Sequence, residues 1–276
     1  KDAFDADATE KEVILDVFVS GTLSGSTEYG RLTVEMSGHG AATNTLSPFY
    51  VTYMSGTTGL MTGTIGSSIT TSTVADDEWH HYAFRFKNTG SAVLVDLFVD
   101  GVHNHRIQDG TTVDYVSGAL CATIGALGIS PSGNMFHKTA ISSGAYGPTL
   151  GWAKLSASID EFRYWKTFRS SKKIQRYWFD QVGAGTNTDT TNTQLGVYYK
   201  FNEGITLTAS TDSAVLDYSG RLSNGDWEGY SSTYSRVIGS AMIEASASKK
   251  EFKDPILYSY HPDVSEFLDY KKLVGR

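Results

Sequence analysis

Hydrophobic and polar residues alternate in short blocks along this chain. Val13-Ile14-Leu15-Asp16-Val17-Phe18-Val19, Phe49-Tyr50-Val51-Thr52-Tyr53-Met54 and Ala92-Val93-Leu94-Val95-Asp96-Leu97-Phe98-Val99 each change character with a period near two. Successive side chains on a strand point to opposite faces, so this period predicts strands with one dry and one wet face. Trp79-His80-His81-Tyr82-Ala83-Phe84-Arg85-Phe86 is a fourth such block, with Tyr82, Phe84 and Phe86 on one side and Arg85 on the other. Ala157 to Trp165 and Leu195 to Phe201 are further strands. Trp79, Phe84, Phe98, Phe162 and Trp165 are expected in the core, because large aromatic side chains are usually buried. Asn88-Thr89-Gly90 and Asp100-Gly101 separate the blocks. Asn, Asp and Gly tolerate the left-handed backbone of tight hairpins, so both segments predict turns.

The convincing helix of the first two thirds begins at Ser170 or Ser171, whose hydroxyl can cap it. Ile174, Tyr177 and Trp178 then lie at helical spacing. Gly183 to Thr193 is a polar loop. Gly128 to Leu150 is a second, longer loop rich in Gly, Ser, Pro and Ala, and loops of that length tend to carry function. From about Ser246 the composition shifts to the charged run Lys249-Lys250-Glu251-Phe252-Lys253-Asp254, and Pro255 and Pro262 break regular structure. No fixed-period repeat is evident. Short strands, frequent turns and one short helix predict an all-β fold. The expected form is a two-sheet antiparallel jelly-roll sandwich over residues 1–234, with an irregular C-terminal tail, 235–276, as linker or docking arm.

Charge and composition narrow the partners. Twenty-three Lys and Arg face 30 Asp and Glu, a net charge of −7, over 276 residues. A nucleic-acid binder needs basic residues gathered into a stripe that releases counterions, so that class is excluded, and an anionic membrane surface is disfavoured on the same ground. No stretch is long and apolar enough to cross a bilayer. The single cysteine, Cys121, lies in an apolar run and is expected to be a small buried hydrophobe, so no internal disulfide staples the fold. The opening Lys1-Asp2-Ala3-Phe4-Asp5 lacks the basic head and apolar run of a signal peptide. The chain is expected to be a piece of a longer polypeptide.

Three segments together carry a resemblance. They are Asp77-Glu78-Trp79-His80-His81-Tyr82-Ala83 followed by Leu97-Phe98-Val99-Asp100-Gly101; Ser158-Ile159-Asp160-Glu161-Phe162-Arg163-Tyr164-Trp165 leading into the Ser-capped helix; and Val197-Tyr198-Tyr199-Lys200-Phe201-Asn202-Glu203-Gly204 followed by Leu216-Asp217-Tyr218-Ser219-Gly220 and Asn224-Gly225. The set is similar to the laminin-G-like jelly rolls of the concanavalin A-like lectin and glucanase superfamily, over roughly residues 10 to 230. The order departs from the usual one, because the segment like Phe201 to Gly220 commonly opens such domains and here comes last. A permuted closure is expected, since a strand left at Val197 to Phe201 would expose an apolar edge. A looser resemblance, carried by Leu195 to Gly225 and by Glu251 to Tyr258, is to virion structural proteins of tailed phages.

Retaining glycosidases need two carboxyls about 5–5.5 Å apart across the scissile bond. On a strand that means acids two or four apart, and no strand carries them: Asp160 and Glu161 are adjacent and Asp96 is alone in its strand. No catalytic residue is assigned, and the chain is expected not to be an enzyme. His80 and His81 are neighbours on a strand and cannot share a metal. His103 and His105, two apart beside a turn, could share one, or could be an exposed hairpin pair. Calcium favours hard oxygens in Gly-containing loops, which Asp217 to Gly225 supplies. The resemblance implies Asp160, Asn202 or Glu203, and Asp217 as calcium ligands; the alternative is an Asx-turn network without metal. A saccharide site would use aromatic faces in loops, and Tyr146, Trp152, Trp227, Tyr230 and Tyr234 are the candidates, each equally open to ordinary packing.

The expected function is a non-catalytic binding or structural module of a larger assembly. The resemblances suggest a phage capsid, neck or tail protein that touches glycans or other virion subunits and sits in a virion or outside the cell. Self-association into a homo-oligomer is compatible with this. The alternative is an extracellular glycan hydrolase or its accessory carbohydrate-binding domain.

Overall fold

The computed structural model describes residue 1 and residues 12–19, 30–36, 46–56, 59–110, 120–127, 155–182, 194–201 and 214–226. These residues form a mostly β protein with antiparallel sheets, as expected. The chain divides into two compact units between Ile159 and Asp160.

In the first unit, β1 (Glu12–Val19), β2 (Gly30–Met36), β3 (Phe49–Ser55) and β4 (Gly59–Ile65) form a meander, and β8 (Leu120–Ile124) joins the free side of β1. The sheet order is β4-β3-β2-β1-β8, antiparallel throughout. A second, three-stranded sheet is the meander β5 (Tyr82–Asn88), β6 (Val93–Val99) and β7 (Val102–Asp109). A single helical turn, α1 (Thr71–Val74), precedes it, held by a capping box between Thr70 and Thr73.

The hairpin signals formed as their chemistry dictates. Between β5 and β6, Asn88 Oδ1 accepts the Gly90 N–H at 2.8 Å, and Gly90 has φ +81°. Between β6 and β7, Asp100 and Gly101 have φ +48° and +77°, the paired left-handed conformation of a type I′ turn.

The core follows from the period-two pattern. Met36, Phe49, Val51, Met61 and Ile65 of the larger sheet share one buried cluster with Val93, Val95 and Leu97 of the smaller one and Val74 of α1. The Phe49 ring meets Tyr82 and Phe84 edge-on, with centroids 5.0 and 5.3 Å away. Gly63 on β4 allows the close approach of β7: a Cβ there would lie 3.0 Å from Ile107 Cδ1.

Three expectations change here. The polar face of β1 and β2 is not wet: Asp16, Arg31, Thr33 and Glu35 are buried, as is Thr52 beside them on β3. Cys121 is exposed rather than buried, because it lies on β8 at the edge of its sheet. Trp79 is not a core residue: β5 begins only at Tyr82, and the Trp79 side chain precedes it, 56 % exposed.

The second unit contains β9 (Phe162–Trp165), α2 (Ser171–Tyr177), β10 (Leu195–Tyr199), β11 (Ala214–Val215) and β12 (Gly225–Asp226). β9 pairs with β10 and β11 with β12, both antiparallel. Ser170 caps α2, its hydroxyl accepting the Lys173 N–H, and Ile174 is its buried residue, as the helix signature predicts. The β9–β10 register shifts between Leu195 and Val197, so Gly196 forms a bulge. Its Cβ would lie 2.8 Å from Tyr164 Cδ1, which explains a glycine inside a strand.

Candidate functional site

Four polar clusters stand out among the described residues. The most buried joins β1 to β2. Asp16 stands opposite Thr33 and Arg31 opposite Phe18, so the two are diagonal neighbours on one face. Arg31 Nε and one amino nitrogen donate to the two Asp16 oxygens at 2.8 and 3.1 Å. Both side chains are almost fully buried.

The second cluster crosses the smaller sheet. Arg85, Asp96 and Arg106 stand opposite one another on β5, β6 and β7, on the face away from the core cluster. Asp96 accepts from Arg85 Nε at 3.0 Å and from its amino group at 2.6 Å. It also accepts from Arg106 Nε at 2.5 Å and its amino group at 3.1 Å. His103 Nε2 lies 3.2 Å from the same carboxylate. Burial opposes ionisation of Asp96, but the donors Arg106, Arg85 and His103 outweigh it and hold the carboxyl at about 2. Phe98, fully buried beside this row, takes the Arg85 guanidinium over its ring and the His103 ring on its edge.

This geometry settles the His103/His105 pair. The β6–β7 register shifts at Leu97/Phe98, so His105 stands opposite Leu97 and His103 opposite Phe98. Leu97 faces the core and Phe98 the other side, so the bulge turns the two imidazoles to opposite faces. His105 Nδ1 instead accepts the Gly66 N–H at 3.2 Å. The two histidines do not form a chelating pair.

The third cluster fixes the loop before β5. His80 Nδ1 lies 2.8 Å from Asp100 Oδ2, and its Nε2 lies 3.0 Å from Asp76 Oδ2. Both carboxylates can only accept, so the protonated imidazolium, with two donors, satisfies both. Burial works against that charge, but the bonds to Asp100 and Asp76 raise the His80 pKa above 6.5. Asp100 Oδ1 also accepts the His81 N–H at 2.8 Å, and the Asp100 N–H returns to the His81 carbonyl at 2.9 Å.

The fourth cluster lies in the second unit. Asp217 Oδ1 accepts the N–H groups of Tyr198 at 3.0 Å and Ser219 at 2.9 Å. Its Oδ2 accepts the Ser219 hydroxyl at 2.8 Å and the Ser223 N–H at 3.0 Å. The Asp217–Ser219 bond is an Asx turn. Burial pushes the Asp217 carboxyl upward, but these donors, Ser219 and Tyr198 first, bring it below its ordinary value. Nearby, Glu161 accepts from Arg163, from the Tyr198 hydroxyl and from Gln181 Nε2 at 3.0, 2.5 and 2.9 Å. Glu161 itself has φ +55°, a left-handed backbone rare for its type, so this network holds it against its preference.

Of the sequence-derived candidates, Asp160 and Asp217 fall among the described residues; Asn202, Glu203, Tyr146, Trp152, Trp227, Tyr230 and Tyr234 lie outside them. Asp160 Oδ1 accepts the adjacent Glu161 N–H at 3.0 Å. Asp217 has four donors on its two oxygens, about the full acceptor capacity of a carboxylate, so a cation there would have to displace backbone bonds. Among the described residues no three His, Cys, Asp or Glu side chains gather as a metal site. Asp217 forms the Asx turn of the alternative reading, and Asp160 accepts from its own neighbour; Asn202 and Glu203, the other implied calcium ligands, lie outside the described residues. Sequence reasoning missed the Arg85–Asp96–Arg106 row: equal offsets from the Asn88–Gly90 turn align Arg85 with Asp96, but counting from Asp100-Gly101 puts His105 opposite Asp96, and only the bulge at Leu97/Phe98 brings Arg106 there. No described helix is long and apolar enough to cross a membrane.

Compared with known protein families, curated proteins and solved structures, the chain matches none.

Proposed function

We propose that the chain is a non-catalytic contact module, built as the jelly-roll type of sandwich its sequence resembles. It acts in a larger assembly, such as a phage virion, by holding glycans or neighbouring subunits. One observation carries the reading: the buried carboxylates with described bonds serve as structural acceptors. Asp16 is paired with Arg31, Asp96 with Arg85 and Arg106, Glu161 with Arg163, and Asp217 with loop donors. Glycoside hydrolysis instead needs one carboxyl raised to act as an acid, facing a second that stays ionised. Asp180 is raised by burial, but the charge acting on it is the Arg163 cation rather than a second carboxylate.

The test is a saccharide array, run beside a reducing-sugar assay on the same polysaccharides and light scattering of the purified chain. The reading expects retention on saccharides or self-association, without release of reducing ends. Release that disappears on changing one carboxyl would replace it with the hydrolase alternative.

A further inference from the structure

We infer that the loop before β5 presents Trp79 as a stacking platform for a neutral saccharide. This names the ligand class and contact point for the contact module proposed above, and rests on that reading. The indole is 56 % exposed, although its place in an alternating block predicts burial. The exposed indole offers a broad apolar face whose burial against a ligand is favourable.

The platform is built before any ligand arrives. On its N-terminal side, Asp76 Oδ1 accepts the Glu78 N–H at 3.0 Å, and the Asp77 N–H donates to the Lys1 carbonyl at 3.0 Å. On its C-terminal side, His80 is gripped by Asp76 and Asp100, and His81 is bonded to Asp100 through its N–H and its carbonyl. Trp79 lies between two pinned segments, so little chain entropy is lost when a ligand docks.

The surroundings choose the ligand. Asp76, Asp77 and Glu78, which lead into Trp79, are all exposed. A protein interface centres its aromatic anchors in a core depleted of charge, with a polar rim. An indole beside three acids suits a ligand with one small apolar face and many hydroxyls. A pyranose ring offers its C–H face to the electron-rich indole, and its hydroxyls donate to the carboxylates. The same acids, in a chain of net charge −7, repel uronic and sulfated saccharides.

The experiment compares the full chain with Trp79→Ala and Trp79→Phe on an array of neutral, uronic and sulfated saccharides. Thermal melting of each variant serves as the fold control. The expected result is binding of neutral saccharides only. Trp79→Ala weakens it by about tenfold or more, the loss of one aromatic stacking partner, while Trp79→Phe keeps part of it. The Trp79 indole N–H, assigned by its disappearance in Trp79→Phe, shifts in NMR spectra as saccharide is added. Unchanged binding by Trp79→Ala overturns the platform and leaves the contact module standing. No binding of any neutral saccharide by the wild-type chain overturns both the platform and the glycan half of that reading.

Discussion

Replacing Asp96 with Asn tests whether the Arg–Asp–Arg row is a stabilising element of the smaller sheet. Asp96 is fully buried, Arg85 nearly so, and the Arg106 side chain is 50 % exposed. Displacement of the Asp96 carboxyl from 3.8 to about 2 corresponds to roughly 2.4 kcal/mol of linkage at neutral pH. Solvent screening through the half-exposed Arg106 reduces this to about 1–2 kcal/mol. The substitution costs more than the linkage alone, because Arg85 stays buried without its counter-charge; about 2–4 kcal/mol is expected at pH 7. The sign follows from the depressed pKa: the contribution is present above pH 3.8 and is lost as pH falls toward 2. Urea denaturation of wild type and Asp96→Asn at pH 7, 4 and 2.5 measures it. The two should differ at pH 7 and 4, and the gap should shrink to about a third at 2.5, where the carboxyl is only partly protonated. Adding Arg85→Met to Asp96→Asn should recover part of the loss, because it removes the stranded charge. A difference below about 0.5 kcal/mol at pH 7, or one that is the same at all three pH values, would refute the reasoning.

Three other outcomes are expected. Arg31→Met leaves Asp16 buried without its cation and should lower stability by about 3–5 kcal/mol in the same assay; a loss near zero would mean the pair is dispensable. His80 faces Asp76, Asp100 and the tilted Tyr82 ring, whose hydroxyl is itself raised by burial, so His80 should titrate above 6.5 by NMR. Its clamp is then complete below pH 6.5 and weakens as pH rises through the raised value; His80→Gln should remove this dependence, and a titration at or below 6.5 would contradict it. Gly196→Ala forces a Cβ against the Tyr164 ring and should cost about 1–3 kcal/mol, whereas Gly110→Ala, with open space around it, should be nearly neutral by thermal melting.

Local chemistry was legible in the chain. Period-two blocks marked β1, β3, β5 and β6, Asn-Thr-Gly and Asp-Gly marked the hairpins on either side of β6, and Ser170 marked the start of α2. Strands β2, β4 and β7 were not picked out. Gly30-Arg31-Leu32-Thr33-Val34-Glu35-Met36 interleaves charges, β4 carries two glycines, and β7 is mostly polar, so their apolar signal is thin. Pairing with neighbours, more than intrinsic preference, makes such segments strands.

The sequence by itself determined an antiparallel all-β protein, its tight turns and the absence of a basic stripe, because these depend on residues close along the chain. Only the tertiary structure decided which polar faces are buried, that Asp96 lies between two arginines, that His103 and His105 part company and that Trp79 faces water. Each depends on strand register and on what packs across a sheet, and one extra residue in a strand reverses the side of every position beyond it.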